Sequence, residues 1–264
     1  MLKPSIVRLR DPKLRDPKKV ALLFVLLCGA VLGAQRGAAP PPVAPKAAAP
    51  WDPAGYWVAI VSDEWRYRML TPPKGNVDYV PVNADGRGAA NNWDPARDEA
   101  AGDQCKAYGA GGIMRLPVRL HVTWQDERTL KMEIDAGTQT RVLHFGTPAP
   151  ANTESSWQGY SLSDWQLPGG GRGAPAPGPR FGQLRIVTTH MKPGYLRKNG
   201  VPYGAGATLT EYIQHLNDDD GSEYLAITSV LEDAQYLAQP WVRTNQFRKQ
   251  ADAKGWNPTP CSAR

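Results

Sequence analysis

The chain has 264 residues, of which 31 are basic and 25 acidic, and it carries a formal net charge of +6. Seven basic and two acidic residues lie within the first 19 positions, so residues 20–264 hold 24 basic and 23 acidic side chains. A net charge of +1 over that part does not support nucleic-acid binding, and we expect no nucleic-acid partner.

The N-terminus has the pattern of an export signal. Its basic residues precede the apolar run Val20–Ala34, and the small residues Gly33 and Ala34 fit a signal-peptidase site. The run holds 15 residues. A helix needs roughly 20 to cross a bilayer. We therefore predict a signal peptide over residues 1–34 and a periplasmic or extracellular protein.

Cys28 lies within this apolar run, and two fates stay open for it. It is either lipidated, as in a bacterial lipoprotein, or removed with the leader as an ordinary residue of the run. If the leader is not cleaved, the run acts as a short membrane anchor. Membrane contact is therefore predicted only through an uncleaved leader or a lipidated Cys28.

The rest of the chain divides by composition. Residues 35–50 are nearly all Ala, Pro, Gly and Val, which predicts an extended Ala/Pro-rich linker. Residues 51–264 have a length that suits one all-β domain. Within that domain the low-complexity segment Pro168–Pro179 predicts a surface loop.

Two cysteines, Cys105 and Cys261, remain once the leader is removed. An even number in an oxidising compartment favours a disulfide, which would tie the C-terminus to the first third of the domain. The alternative is a reactive or metal-binding thiol, although neither cysteine has C-x-x-C spacing.

Ten segments carry apolar residues at every second position, the pattern of half-buried strands. Turn residues at 125–128, 136–137 and 217–221 connect some of them as hairpins. One segment, Pro95–Tyr108, is predicted helical, with Asp94 as its N-cap. We predict an all-β fold, an antiparallel meander that closes into a barrel with one short helix. The predicted strands are Tyr56–Val61, Trp65–Leu70, Val118–Trp124, Leu130–Asp135, Thr140–Phe145, Trp157–Trp165, Leu184–Met191, Thr208–Leu216, Tyr224–Leu231 and Trp241–Phe247.

The order Gly55-Tyr56-Trp57 at the first strand resembles the Gly-x-Trp signature of lipocalins and related calycin barrels. In that family the tryptophan plugs one end of the barrel and an arginine of the last strand packs on it. The resemblance implies a calycin-like barrel and assigns the arginine to Arg243 or Arg248, while the family's Thr-Asp-x-x-Tyr motif has no counterpart here. The stretch from Trp51 to the C-terminal Trp-Asn-Pro-Thr-Pro-Cys also resembles secreted bacterial proteins of unknown function, which implies no activity.

His190 and Glu211 form the one candidate catalytic pair. The alternation places His190 on the face of Ile186 and Glu211 on the face of Ile213, on neighbouring strands of a predicted hairpin. An inward pair of this kind suits general acid–base chemistry. The alternative is a buried polar pair with a structural role.

Five further residues are candidates for ligand binding. Tyr195, Arg197 and Tyr203 lie in the loop Lys192–Gly206, and Trp65 and Tyr67 alternate with arginines on the second predicted strand. Aromatic and cationic groups at a barrel mouth can stack on a flat ligand. The alternatives are a solvated hairpin loop and tryptophan packed in the core.

No cofactor and no metal are predicted, because the four histidines are scattered and no calcium-loop alternation is present. Our leading hypothesis is an exported envelope protein that binds a small apolar or aromatic ligand in the barrel lumen, with the identity of that ligand open. The first alternative is a secreted enzyme that uses His190 and Glu211 in the same lumen. The second is an envelope interaction module that docks a membrane or a secreted partner.

Overall fold

The structure is a computed structural model that describes residues 43–168 and 181–264. The predicted leader, the first part of the linker, and residues 169–180, which include most of the low-complexity segment Pro168–Pro179, lie outside the described residues.

The described residues are mainly strands, with a few short helices. The helices are Pro45–Ala48, Trp65–Arg68, Ala84–Asn91, Pro95–Ala100 and Ala110–Ile113, and Lys106–Tyr108 forms a 3₁₀ turn. The strands are β1 Gly55–Ile60, β2 Arg119–Trp124, β3 Thr129–Ile134, β4 Gln139–Phe145, β5 Tyr160–Gln166, β6 Gln183–Thr189, β7 Gly194–Arg197, β8 Val201–Tyr203, β9 Thr208–Asn217, β10 Glu223–Glu232 and β11 Trp241–Gln250.

Nine of these strands close into a barrel in the order β1-β11-β10-β9-β6-β5-β4-β3-β2, because β1 pairs with both β2 and β11. The predicted all-β fold and its closure are thereby confirmed. The meander is not antiparallel throughout, however, since β4 and β5 are parallel, with Leu143 opposite Ser161. A closed ring with an odd number of strands cannot alternate direction at every step, so one parallel pair is required.

The strands form where the sequence alternates, and the alternation sets which side chains enter the barrel. On β3, for example, Leu130, Met132 and Ile134 are buried while the residues between them are half-buried. Inward side chains from all around the ring form one cluster that includes Trp57 and Phe247, both fully buried. The interior is therefore packed with side chains over much of its length.

Trp57 lies inside the barrel, and its indole Nε1 donates to the Pro53 carbonyl at 3.0 Å. The cation over its ring is Lys249, whose Nζ is 5.4 Å from the ring centroid, so the expectation of Arg243 or Arg248 is wrong. Lys249 is opposite Trp57 in the ladder and therefore shares its face. Arg248 falls on the other face, and Arg243 lies near the opposite end of the same strand.

The predicted strand Trp65–Leu70 is wrong, because residues 65–68 form a helical turn in the connection from β1 to β2. The predicted helix Pro95–Tyr108 is shorter, ending at Ala100. Asp94 caps it as expected, its Oδ1 accepting from the Ala96 and Arg97 amides. Gly102, with φ at +75°, takes the left-handed conformation that ends helices.

One end of the barrel is covered by what we call the cap, residues 61–118 and the hairpin β7–β8 with its flanks, residues 190–207. Tyr203 of that hairpin is fully buried against Gly109, Gly111 and Gly194, where a Cβ at any of the three would collide with its ring or hydroxyl. Gly109 and Gly111 allow the connection from β1 to β2 to pack closely on the hairpin.

The predicted disulfide between Cys105 and Cys261 is confirmed, with the two Cα atoms 5.1 Å apart. It joins the cap to the C-terminal segment across 156 residues of sequence. None of the helices in residues 43–168 and 181–264 is long and apolar enough to cross a bilayer.

Removing the disulfide should lower stability by about 4–5 kcal/mol. The reason is that the unfolded chain gains conformational entropy when the bond no longer closes a long loop. We expect this loss for the double variant Cys105→Ser/Cys261→Ser in chemical denaturation. Dithiothreitol should bring the wild-type midpoint to that of the variant and leave the variant unchanged. Equal midpoints for oxidised wild type and variant would contradict the prediction.

Candidate functional site

A buried polar cluster crosses the barrel interior just below the cap. Arg141 of β4 is fully buried, and its Nη2 donates to Glu211 Oε2 of β9 at 2.7 Å and to the Thr188 hydroxyl at 3.1 Å. The same nitrogen is 3.4 Å from the Ser161 hydroxyl, which in turn is 2.8 Å from that of Thr188. Four strands thus hold one buried ion pair in place.

The predicted pairing of His190 with Glu211 is wrong. Glu211 faces Arg141, and its ladder neighbour on β6 is Ile186, four residues before His190. Four residues of strand span about 13 Å. His190 instead lies beyond the end of β6 with φ at +55°, and its Nδ1 is 2.9 Å from the Thr189 hydroxyl.

A cavity of about 200 Å³ opens in the cap, between the connection from β1 to β2 and the hairpin β7–β8. Tyr67, Tyr108, Leu116 and Leu196 contribute aromatic and apolar surface to its wall. Among the described residues that line it, four are cationic and none is acidic; the four are Arg68, Arg115, Arg197 and Lys198.

Three of these cations are buried arginines, and hydrogen bonds hold part of each guanidinium group in place. Arg68 donates from Nε to the Arg115 carbonyl at 2.9 Å and from Nη1 to the Ile60 carbonyl at 2.7 Å. Arg197 donates from Nη2 to the Asp78 carbonyl at 2.6 Å, and its guanidinium lies 4.4 Å from the Tyr67 ring centroid. These bonds fix the orientation of the charged groups.

Arg115 carries the one direct ion pair of the three, with its Nη2 2.8 Å from Glu64 Oε2. Burial opposes ionisation of Glu64, but the hydrogen bond and charge of Arg115, with the charges of Arg243 and Arg197, lower the pKa of Glu64. Glu64 also lies 3.4 Å from Arg243 Nε, so one carboxylate is shared between two guanidinium groups.

The arginines around the cavity are too close to be independent. Burial, with the positive charge of Arg115, lowers the pKa of Arg68 to about 10. Burial and the same charge lower the pKa of Arg197 to about 10, and burial lowers that of Arg115. Guanidinium groups stay charged at neutral pH, so the cavity wall holds an excess of positive charge.

Two of the five predicted ligand-binding residues, Tyr67 and Arg197, line this cavity. Tyr203 is buried among glycines and does not line the cavity, and Tyr195 donates its hydroxyl to Asp98 Oδ2 at 2.8 Å. That hydrogen bond adds to burial in raising the pKa of Tyr195. Trp65 is half exposed and is not among the residues that line the cavity.

Arg68 and Arg115 are functional candidates that the sequence did not single out. Arg68 was placed on a strand that does not exist, and Arg115 precedes β2 in a segment without a motif. One usable signal was the composition of residues 64–68, where three charged side chains in five positions argue against a half-buried strand.

Across residues 43–168 and 181–264, no group of three or more His, Cys, Asp or Glu side chains is arranged to hold a metal ion. Comparison of the chain with protein-family models gives no match, and comparison with curated proteins gives none either.

Removing the carboxylate in Glu211→Ala should cost about 3–5 kcal/mol, because it leaves the buried Arg141 charge unpaired. The double variant Arg141→Met/Glu211→Leu should be more stable than Glu211→Ala, since no buried charge remains. Asp164→Ala is the control, because it breaks an exposed pair with Arg185 worth about 0–1 kcal/mol. Urea denaturation measures all three, and a loss for Glu211→Ala no larger than the control's would refute the account.

Proposed function

We propose that this protein is an exported, calycin-like barrel that binds a small molecule with an apolar or aromatic part. The observation that supports it best is the cavity of about 200 Å³ in the cap, with Tyr67, Leu116 and Leu196 in its wall. Concave sites that combine apolar surface with a few fixed polar groups are the usual places for small ligands.

The cap cavity is a better candidate for this ligand than the lumen, where the sequence first placed it. Trp57, Leu120, Leu143 and Phe247 are all fully buried in one interior cluster, and Arg141 with its partners occupies the region below the cap. A barrel of this size either fills with side chains or holds one ligand. The packing described here favours the first.

The enzyme alternative loses its main support, because the acid–base pair on which it rested is not formed. Glu211 is bonded to Arg141, and His190 is at the end of β6. Glu211 therefore has a structural role, in a buried ion pair with Arg141, and not the catalytic role that the enzyme hypothesis gave it.

Export is part of the proposal. It is supported by the basic leader with its apolar run and by the bond between Cys105 and Cys261. Structural disulfides form and persist in oxidising compartments, which the periplasm and the extracellular space provide.

Filling the cavity should abolish binding of small aromatic molecules. Thr71 is exposed and lines the opening, so Thr71→Trp should block it without disturbing the core. Thr140→Trp is the matched control, because Thr140 is exposed on β4 outside the cavity. We expect saturation-transfer NMR to detect binding of indole and p-cresol to wild type and to Thr140→Trp, but not to Thr71→Trp. Equal signals from both variants, or none from wild type, would contradict the proposal.

A further inference from the structure

We propose that the ligand of the cap cavity is an organic anion, in which a carboxylate or phosphate group is joined to an apolar part. The inference rests on the proposed function, since it names the chemical class of the molecule that the same cavity binds. It is carried by the arrangement of Arg68, Arg115, Arg197 and Lys198 around the opening.

The first observation is incomplete hydrogen bonding of buried guanidinium groups. Arg68, Arg115 and Arg197 are between 3 and 5 % exposed. Within the described part of the chain, Arg68 Nη2, Arg115 Nε, and Arg197 Nε and Nη1 have no hydrogen-bond partner. These four atoms are enclosed by the chain, so hydrogen bonds compensate the buried charge of the three guanidinium groups only in part, and an anion in the cavity that they line would offset the rest.

The second observation is that nearby carboxylates are already engaged. Glu64 is held by Arg115 at 2.8 Å and lies 3.4 Å from Arg243. The Asp78 carboxylate accepts from the Asn76 amide at 2.7 Å and lies 3.5 Å from the Tyr67 hydroxyl. Glu64 therefore balances Arg115, whereas Arg68, Arg197 and Lys198 form no ion pair with a described residue.

The third observation concerns the rest of the ligand. Leu116, Leu196 and Tyr108 form an apolar wall next to the arginines, and Met69 and Leu70 lie exposed at the rim. An inorganic ion would satisfy the guanidinium groups and leave this surface unused. An acid with one ring or a short chain would use both, because guanidinium groups bind carboxylate and phosphate through paired hydrogen bonds while the ring packs on apolar groups.

Isothermal titration calorimetry at neutral pH with the protein purified from its host tests the inference. The probes are benzoate and phenyl phosphate, with benzamide as the uncharged counterpart of benzoate. Wild type should bind benzoate or phenyl phosphate at least about tenfold more tightly than benzamide, since one charge-assisted hydrogen bond supplies that factor. Whichever of the two acids binds more tightly identifies the anionic group of the ligand.

Arg197→Met and Lys198→Met each remove one charge from the cavity wall, and we expect each to reduce the preference of wild type for the acids over benzamide severalfold. Lys198 is the safer of the two, because it makes no hydrogen bond or ion pair described in the structure. Arg66→Met is the matched control. It removes an exposed charge from the helix that carries Arg68, outside the cavity, and should keep the wild-type preference.

The outcomes separate the two proposals. If benzamide binds as tightly as the acids and Thr71→Trp blocks both, the cavity binds small molecules but the anion inference is overturned. If the three variants at 66, 197 and 198 lose the preference equally, the effect is one of overall charge, and the inference is overturned as well. If no probe binds, the proposed function fails together with the inference.

Discussion

The closure of nine strands into one ring determines how the other parts of the structure are arranged. With an odd number of strands, one pair must be parallel, and β4 and β5 take that place. Residues 146–159 must then run from one end of the barrel to the other before β5 begins. Closure leaves no free sheet edge, but it leaves two ends, and one of them is covered by the cap. The cap positions the candidate site, because its cavity lies between the connection from β1 to β2 and the hairpin β7–β8.

Buried charge is treated differently in the barrel and in the cap. In the barrel, Arg141 is paired with Glu211 at 2.7 Å, so the charge is balanced within the chain. In the cap, Arg115 shares Glu64 with Arg243, while Arg68 and Arg197 are held mainly by backbone carbonyls. Desolvating a guanidinium group costs free energy that carbonyls only partly return. The desolvation cost of Arg68 and Arg197 is therefore not fully offset within the chain. A bound anion would offset it, whereas the two buried charges add nothing to stability by themselves.

Much of the fold could be predicted from the sequence, because period-two alternation is a local signal. Nine of the ten predicted strands match the nine strands of the barrel, and the disulfide followed from the cysteine count. Two of the failures share a physical origin. Trp65–Leu70 alternates but forms a helical turn, and Glu211 pairs with Arg141 on a strand 70 residues away, not with His190 nearby. Both outcomes are set by contacts distant in sequence. Arg197 was found because its loop is rich in aromatic and cationic residues, whereas Arg68 and Arg115 converge on it only after folding.

The cavity lined by the three buried arginines is proposed to receive an anion. A crystal structure with bound 4-bromobenzoate tests it most directly, because anomalous scattering locates the bromine independently of the refined coordinates. We expect a bromine peak in the cap cavity, with the carboxylate within hydrogen-bond distance of Arg197 and at least one of Arg68 and Arg115. A bromine peak in the barrel lumen would contradict it, as would a cavity that holds only water at a saturating concentration of the acid.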